Sequence, residues 1–329
     1  MSRYKAGAGF LVTAGIIWLA LSRLSLSEVV ASFSLVRLDY VIIGGGLIIV
    51  VIGIFSLRWR ALLPNRRIEL RYIFSYLMIG YMANATLPLR VGDIVRAYLL
   101  GRRHGLAVST TLSTVAVERV FDIAAVVVIG FVLSTALDLP TPVAIGLRTF
   151  LAASLIGLSI LFALSFWSPS AWRLSWLNPD ARWLGAILRR LEYFCAALTI
   201  LHDWRCLLVT SLLTFAGWSV LAASLAMFIY SFRLDVPYLA GALMMVATSL
   251  GAAIPSAPGS TGVYHVLTVL ALSVWKVPTA TSAAVGLLAH FVTITLHIVF
   301  GLICAWFIGI RLGSLLRMDV SLSRTGACQ

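Results

Sequence analysis

Six long apolar runs dominate this chain, at about Gly7–Leu21, Tyr40–Leu57, Leu106–Leu137, Thr141–Phe166, Cys206–Tyr230 and Ala280–Ile310. The hydrocarbon core of a bilayer is about 30 Å thick and takes roughly 20 helical residues to cross. Only helices and closed barrels satisfy their backbone inside lipid, and runs of this length with few charges point to helices. Composition agrees: 61% of the 329 residues are hydrophobic and 11% charged, whereas roughly a quarter of a soluble domain is charged. A soluble fold is excluded, and a polytopic membrane protein is expected.

The net charge of +13 would suggest a nucleic-acid partner if it formed a continuous basic face. It does not. Lys5 and Lys276 are the only lysines, and the arginines cluster beside the ends of apolar runs, the positive-inside pattern. Arg58, Arg60, Arg66, Arg67 and Arg71 form the densest basic loop, which places that loop in the cytoplasm. Both chain ends, with Arg3 and Lys5 at one and Arg311, Arg317 and Arg324 at the other, are then expected inside a bacterial cytoplasmic membrane. Cys195, Cys206, Cys304 and Cys328 show neither metal spacing nor a disulfide framework. The first apolar run, about Gly7–Leu21, is followed by no small-x-small cleavage site and reads as a retained helix.

The segment Tyr72–Leu89 is short, is broken by Asn84, Thr86 and Pro88, and carries arginines on both sides. It reads as one arm of a re-entrant hairpin, a geometry tolerated only inside protein or along a wet cavity. Long helices follow over about Leu106–Leu137 and Thr141–Phe166. Residues 167–205 place Trp183, Leu184, Ile187, Leu188, Leu191, Phe194 and Leu198 at helical spacing among arginines, which predicts one interfacial amphipathic helix. Tyr238–Pro255 and Tyr264–Trp275 flank a second interruption. Each half thus holds an apolar piece that starts at a tyrosine and ends at a proline with glycine four residues on: Pro88 with Gly92, Pro255 with Gly259. The expected fold is an all-α integral membrane domain with six spanning helices and two oppositely oriented re-entrant hairpins. It is arranged as an inverted repeat, 39–137 against 206–310, with a cytoplasmic tail at 311–329. Counting hairpin arms as spans gives eight. Matching interrupted segments of this kind mark transport sites.

Three clusters carry the chemistry. In the first, Pro88 removes a backbone donor and Gly92 permits close approach. Arg90, Asp93 and Arg96 then share one side of a helix that starts near Gly92, with Asn84 just upstream. Asp93 pairs with one arginine, and the remaining guanidinium suits a phosphate; a cytoplasmic arginine anchor is the plainer alternative. In the second, Thr110, Thr114, Glu118 and Asp122 make a polar stripe with Arg119 beside it. Charges this deep cost about 2.5–3.5 kcal/mol each on insertion scales and must find partners. Arg119 with Asp122 is the internal pair, which leaves Glu118 for another arginine or a substrate; an ion-paired clamp between helices is the structural alternative. The third cluster comprises Pro255, Pro258, Gly259 and His265, with His290, Thr293 and His297 on one face of the last helix. Neutral histidines there could relay protons. Neither metal nor cofactor is expected, and no Walker loop, nucleophile elbow or zincin motif is found.

The string Asn84–Tyr98, followed by Val117–Asp122, resembles the lysylphosphatidylglycerol synthase transmembrane-region family. That family includes the flippase half of the multiple-peptide-resistance proteins and members associated with hopanoid biosynthesis. The pattern N-x-x-L-P-x-R-x-G-D-x-x-R followed by E-R-x-x-D carries the resemblance, supported by the later Pro255–Gly262 stretch, over about Gly9–Gly309. It implies lipid translocation or delivery between leaflets, with Asn84, Pro88, Arg90, Gly92, Asp93, Arg96, Glu118, Arg119 and Asp122 at matching positions. Two positions depart: His265 stands where relatives usually have Glu, and His290 where they usually have Arg. No aminoacyl-transferase domain accompanies this sequence, so lysyl-lipid synthesis is not expected.

The resulting expectation is a flippase-like transporter of an anionic phospholipid, polyprenyl phosphate or hopanoid-type lipid. The alternative is a membrane-embedded enzyme or accessory subunit of lipid or glycan biosynthesis. Expected partners are lipids with anionic headgroups, with a homo-oligomer or a lipid-biosynthesis enzyme as the protein partner, and no nucleic acid.

Overall fold

The computed structural model describes residues 26–34, 36–87, 91–139, 141–165, 203–251 and 261–310. Helices α1 (Leu26–Phe33), α2 (Leu38–Leu62), α3 (Leu70–Thr86), α4 (Gly92–His104), α5 (Val108–Ala136) and α6 (Thr141–Ser165) form the first part. After them come α7 (Trp204–Ser231), α8 (Leu239–Gly251), α9 (Thr261–Leu272) and α10 (Thr279–Phe307), with a 3₁₀ turn at Ser273–Trp275. There is no strand among the described residues. Helices α2, α7 and α10 are long and apolar enough to cross a membrane.

Local chemistry sets several of the boundaries. Asp203 starts α7 by accepting hydrogen bonds from the backbone N–H of Arg205 and Cys206, which satisfies two of the orphan donors at a helix start. α3 stops one residue before Pro88, at an extended Leu87, as the residue preceding proline requires. α4 ends on Gly105 in the left-handed region, φ 66°, where a side chain would be strained.

Packing relies on glycines where backbones meet, the usual device when lipid tails are as apolar as the helices themselves. The most extensive contact is between α2 and α7. There Gly217 leaves room for the Phe55 ring, and the Ser224 hydroxyl donates to the Gly44 carbonyl at 2.8 Å. α3 and α4 fold back on each other as an antiparallel hairpin. At its closed end Gly92 lies against Gly80 and Asn84, and at its open end Tyr76 bonds His104 across 3.3 Å. A Cβ on Gly92 would run into the Gly80 carbonyl and the Asn84 amide. α8 and α9 also pack on each other, α8 rests on α7, and α10 covers α3, α9 and α1. The Arg103 guanidinium at the open end of the first hairpin donates to the Ile308 carbonyl at 2.6 Å, just past the end of α10. At about 1.5 Å per residue, the 13 residues of α4 and of α8 each reach only about 20 Å, less than a full crossing.

Two features differ from the sequence expectation. The second apolar helix continues past Leu57 to Leu62, because Phe55, Arg58, Trp59 and Leu62 lie on one buried face. Arg58 is therefore inside the bundle rather than in the basic loop. A short helix, α1, precedes it where none was expected. The first apolar run at 7–21, nearly all of the interfacial segment 167–205 and the tail 311–329 lie outside the described residues.

Candidate functional site

Six charged side chains from α2, α4 and α5 close a ring of alternating sign. Arg58 reaches Glu118 at 3.5 Å, and Glu118 accepts from Arg96 at 2.6 Å. Arg96 meets Asp93 at 3.3 Å, and Asp93 accepts from Arg119 at 3.0 Å. Arg119 meets Asp122 at 3.4 Å, and Asp122 returns to Arg58 at 2.6 Å. Three guanidiniums face three carboxylates, so the ring carries no net charge.

The helices dictate this arrangement. Asp93 with Arg96, and Arg119 with Asp122, are three residues apart and share a helix face. α4 runs antiparallel to α5, held where the Thr111 hydroxyl donates to the Ala97 carbonyl at 2.8 Å. That register sets Arg96 opposite Glu118 and Asp93 opposite Arg119. The start of α4 is capped from outside, since the Gly92 N–H donates to the Asn84 side-chain oxygen at 2.8 Å. Asn84 thereby supplies the partner that a helix start needs and fixes where Asp93 falls.

Aromatic and hydroxyl groups line the ring. Arg96 lies over the Trp59 face and Arg58 over Phe55, with 4.6 and 4.4 Å to the ring centroids, which are cation–π distances. Trp59 is held in turn by its indole N–H on Thr114 at 3.0 Å. From α7, Trp218 donates to Asp122 at 3.1 Å and Thr214 accepts from Arg58 at 3.2 Å. Of the expected polar stripe on α5, Thr114, Glu118 and Asp122 are buried while Thr110 is exposed.

The ring is not uniformly sealed. The Glu118 side chain is 1% exposed, that of Arg119 38%. Three guanidinium nitrogens, Arg58 Nε, Arg96 Nη1 and Arg119 Nε, are buried without a hydrogen-bond partner among the described residues. Unfilled donors of this kind are costly in a low-dielectric interior and suit an oxyanion. Next to them in sequence, Ile94 and Ile123 are exposed apolar side chains on α4 and α5.

The histidines gather elsewhere. His290 of α10 stacks on Tyr264 of α9, with centroids 4.6 Å apart, and meets His265 edge-on at 5.3 Å. Two turns further along α10, His297 stacks on Tyr81 of α3 at 5.0 Å. Tyr81 follows Gly80, whose α-carbon faces the Arg96 side chain of the ring. The structure thus brings Asn84, Gly92, Asp93, Arg96, Glu118, Arg119 and Asp122 together and sets His265, His290 and His297 beside them as a second cluster. Pro88, Arg90, Pro255, Pro258 and Gly259 lie outside the described residues. No group of three His, Cys, Asp or Glu suited to a metal occurs among the described residues.

The model of the lysylphosphatidylglycerol synthase transmembrane region matches residues 8–301. The chain belongs to that family. It is accordingly a multi-pass integral membrane protein. A relative is the UPF0104 membrane protein of Methanocaldococcus jannaschii, 26% identical over 228 residues, a stretch covering 68% of this chain and 93% of that protein. The two motif strings that carry the family resemblance, Asn84–Tyr98 and Val117–Asp122, supply five ring members: Asp93, Arg96, Glu118, Arg119 and Asp122. The sixth, Arg58, lies upstream of both. So do Trp59 and Phe55, while Trp218 and Thr214 come from the second half. A signal for Arg58 was present: it shares the spacing of Phe55, Trp59 and Leu62, that of a helix face turned to the core. Tyr81 carried none, since its partner His297 is remote in sequence.

Proposed function

We propose that this family member moves lipids with an anionic headgroup between the leaflets of a cytoplasmic membrane, and that the headgroup binds at the Arg119 edge of the ionic ring. The observation that carries the reading is the ring itself. It is a closed set of charges within a bundle of apolar helices, with one accessible guanidinium and three unfilled donors. A phosphate oxygen arriving at Arg119 replaces Asp93 or Asp122 as its partner, so that one charge-assisted bond is exchanged for another. The apolar tails remain in lipid, over surfaces such as Ile94 and Ile123.

The short α3–α4 and α8–α9 hairpins support an architecture of two oppositely oriented re-entrant elements within an inverted repeat, 39–137 and 206–310, alongside six spanning helices. Arginine placement supports an orientation with the first hairpin open to the cytoplasm and both chain ends inside. The described backbone short of a full crossing is packed against protein, as such segments must be.

Purified protein in proteoliposomes, with a headgroup-labelled phosphatidylglycerol and a membrane-impermeant quencher, tests the transport. Arg119→Ala is expected to slow exchange between leaflets by about tenfold or more, the loss that goes with one charge-assisted hydrogen bond. Arg119→Lys keeps the charge but not the planar fork and is expected to fall between the two. Exchange at the wild-type rate in Arg119→Ala would remove the ring from the mechanism.

A further inference from the structure

The last helix carries a polar seam that the ionic ring does not use. Ser282, Gly286, His290, Thr293 and His297 recur at intervals of three and four along α10, so they share one face. At one end the Ser282 hydroxyl is fully buried and, among the described residues, has no hydrogen-bond partner; one turn on, His265 Nδ1 beside Gly286 is likewise buried and unpartnered among them. His290 continues the line through its contacts with His265 and Tyr264. The Thr293 hydroxyl fills the interval before His297, donating to the Ala289 carbonyl at 2.7 Å. His297 lies flat on Tyr81, the neighbour in sequence of Gly80, against which Arg96 of the ring packs. The seam runs over 16 residues of helix, about 22 Å, and ends on Tyr81.

Two facts ask for such a seam. Buried polar atoms without partners are expensive unless they have a task, and here two lie on one line. Moreover the ring is neutral as it stands. An anionic headgroup bound there leaves one uncompensated negative charge in a low-dielectric interior, a cost that a nearby positive charge removes. Histidine is the side chain whose ordinary titration lies nearest neutral pH. Among the described residues, aromatic contacts to these histidines come from Tyr264 of α9 and Tyr81 of α3. α8 brings no titratable side chain, and Glu28 of α1 is exposed. Within the seam, His265 and His290 meet directly.

We propose that the His265–His290–His297 seam is a proton-binding site that takes up a proton when an anionic headgroup occupies the ring. The proposal rests on the lipid-binding reading given above and adds the counter-charge that makes the occupied ring neutral again. No covalent bond changes: one proton leaves the solvent and resides on an imidazole nitrogen of the seam while the lipid is bound.

Calorimetric titration of the detergent-solubilised full chain with short-chain phosphatidylglycerol, in buffers of different ionisation enthalpy at one pH near neutrality, separates the two ideas. Binding heat of any size reports the lipid, and its dependence on the buffer reports protons. The expected result is uptake of about one proton per lipid bound, with tighter binding as pH falls from 8 to 6. A zwitterionic phosphatidylcholine of the same chain length should show neither effect. Replacing the seam with glutamine, as His290→Gln and His297→Gln, is expected to remove the buffer dependence. If these variants do not fold, the wild-type comparison between the two lipids decides alone. Binding of phosphatidylglycerol with buffer-independent heat, or the same pH trend for both lipids, overturns the proton site and leaves the lipid site standing. Absence of binding heat at every pH overturns both.

Discussion

The two short hairpins solve one problem with opposite chemistry. Around α3–α4 the bundle interior holds fixed charge, six ionised groups that neutralise one another within a few ångströms. Around α8–α9 it holds aromatic rings and imidazoles that need carry no charge at all. The first arrangement is rigid, since each member depends on two neighbours. The second is adjustable, since a stacked imidazole keeps its packing whether or not it is protonated. On the proposed reading, fixed charge positions a ligand and adjustable charge answers to it; Tyr81 stands between the two, stacked on His297 and next in sequence to Gly80, which faces Arg96.

The sharpest way to break this contrast is to unbalance the ring. Glu118→Gln leaves Arg58 and Arg96 buried against a neutral amide and is expected to cost about 3–5 kcal/mol of stability, the usual penalty for orphaning a buried charge. Reversible unfolding in mixed micelles measures it; a loss below about 1 kcal/mol, the surface-pair range, would mean that the ring is solvated. Next in size come the glycines at the hairpin contacts. Gly92→Ala pushes a methyl into the Gly80 carbonyl and Asn84, and should cost about 1–3 kcal/mol as overpacking does. Gly251→Ala meets side-chain carbons of Leu267 and Val263 rather than backbone, so the same assay should show a smaller loss. Equal losses would deny that the first hairpin is the stiffer one.

Asn84→Ala removes the acceptor for the Gly92 N–H and is expected to cost about 1–3 kcal/mol, with hydrogen exchange at the start of α4 rising in step. The smallest structural effect belongs to His297→Phe, which retains a flat ring over Tyr81. Stability should change by less than about 1.5 kcal/mol, as for volume-conserving swaps, while proton uptake on lipid binding disappears. A large stability loss there would show that the imidazole nitrogens hold the fold rather than a proton.

Helix positions were largely legible in the sequence. The spans of α5, α6, α7 and α10 agree with the expected runs to within about three residues. The two i,i+3 pairs at Asp93–Arg96 and Arg119–Asp122 were legible too, since spacing on one helix fixes which side chains meet. What escaped was whatever depends on contact between distant segments. Arg58 stands at the edge of an apolar run and looks like a cytoplasmic anchor until α5 is packed beside it. Asn84 looks like a ligand contact until α4 folds back and places Gly92 under it. The pairing of Tyr81 with His297 joins residues more than two hundred positions apart. No local pattern encodes it.

The bond from Arg103 to the Ile308 carbonyl gives the molecule a pivot. It pins the open end of the first hairpin to the tail of α10, while Asp93 and His297 both lie about 15 Å back along their helices from that pin. Rocking of the hairpin against α10 therefore has a lever arm: a tilt of about 10° about the pinned end carries Asp93 through roughly 2–3 Å over that length. Such a swing would part Asp93 from Arg119 while scarcely moving Arg103, so the edge proposed to take the headgroup is also the edge where a small rotation would have its greatest reach.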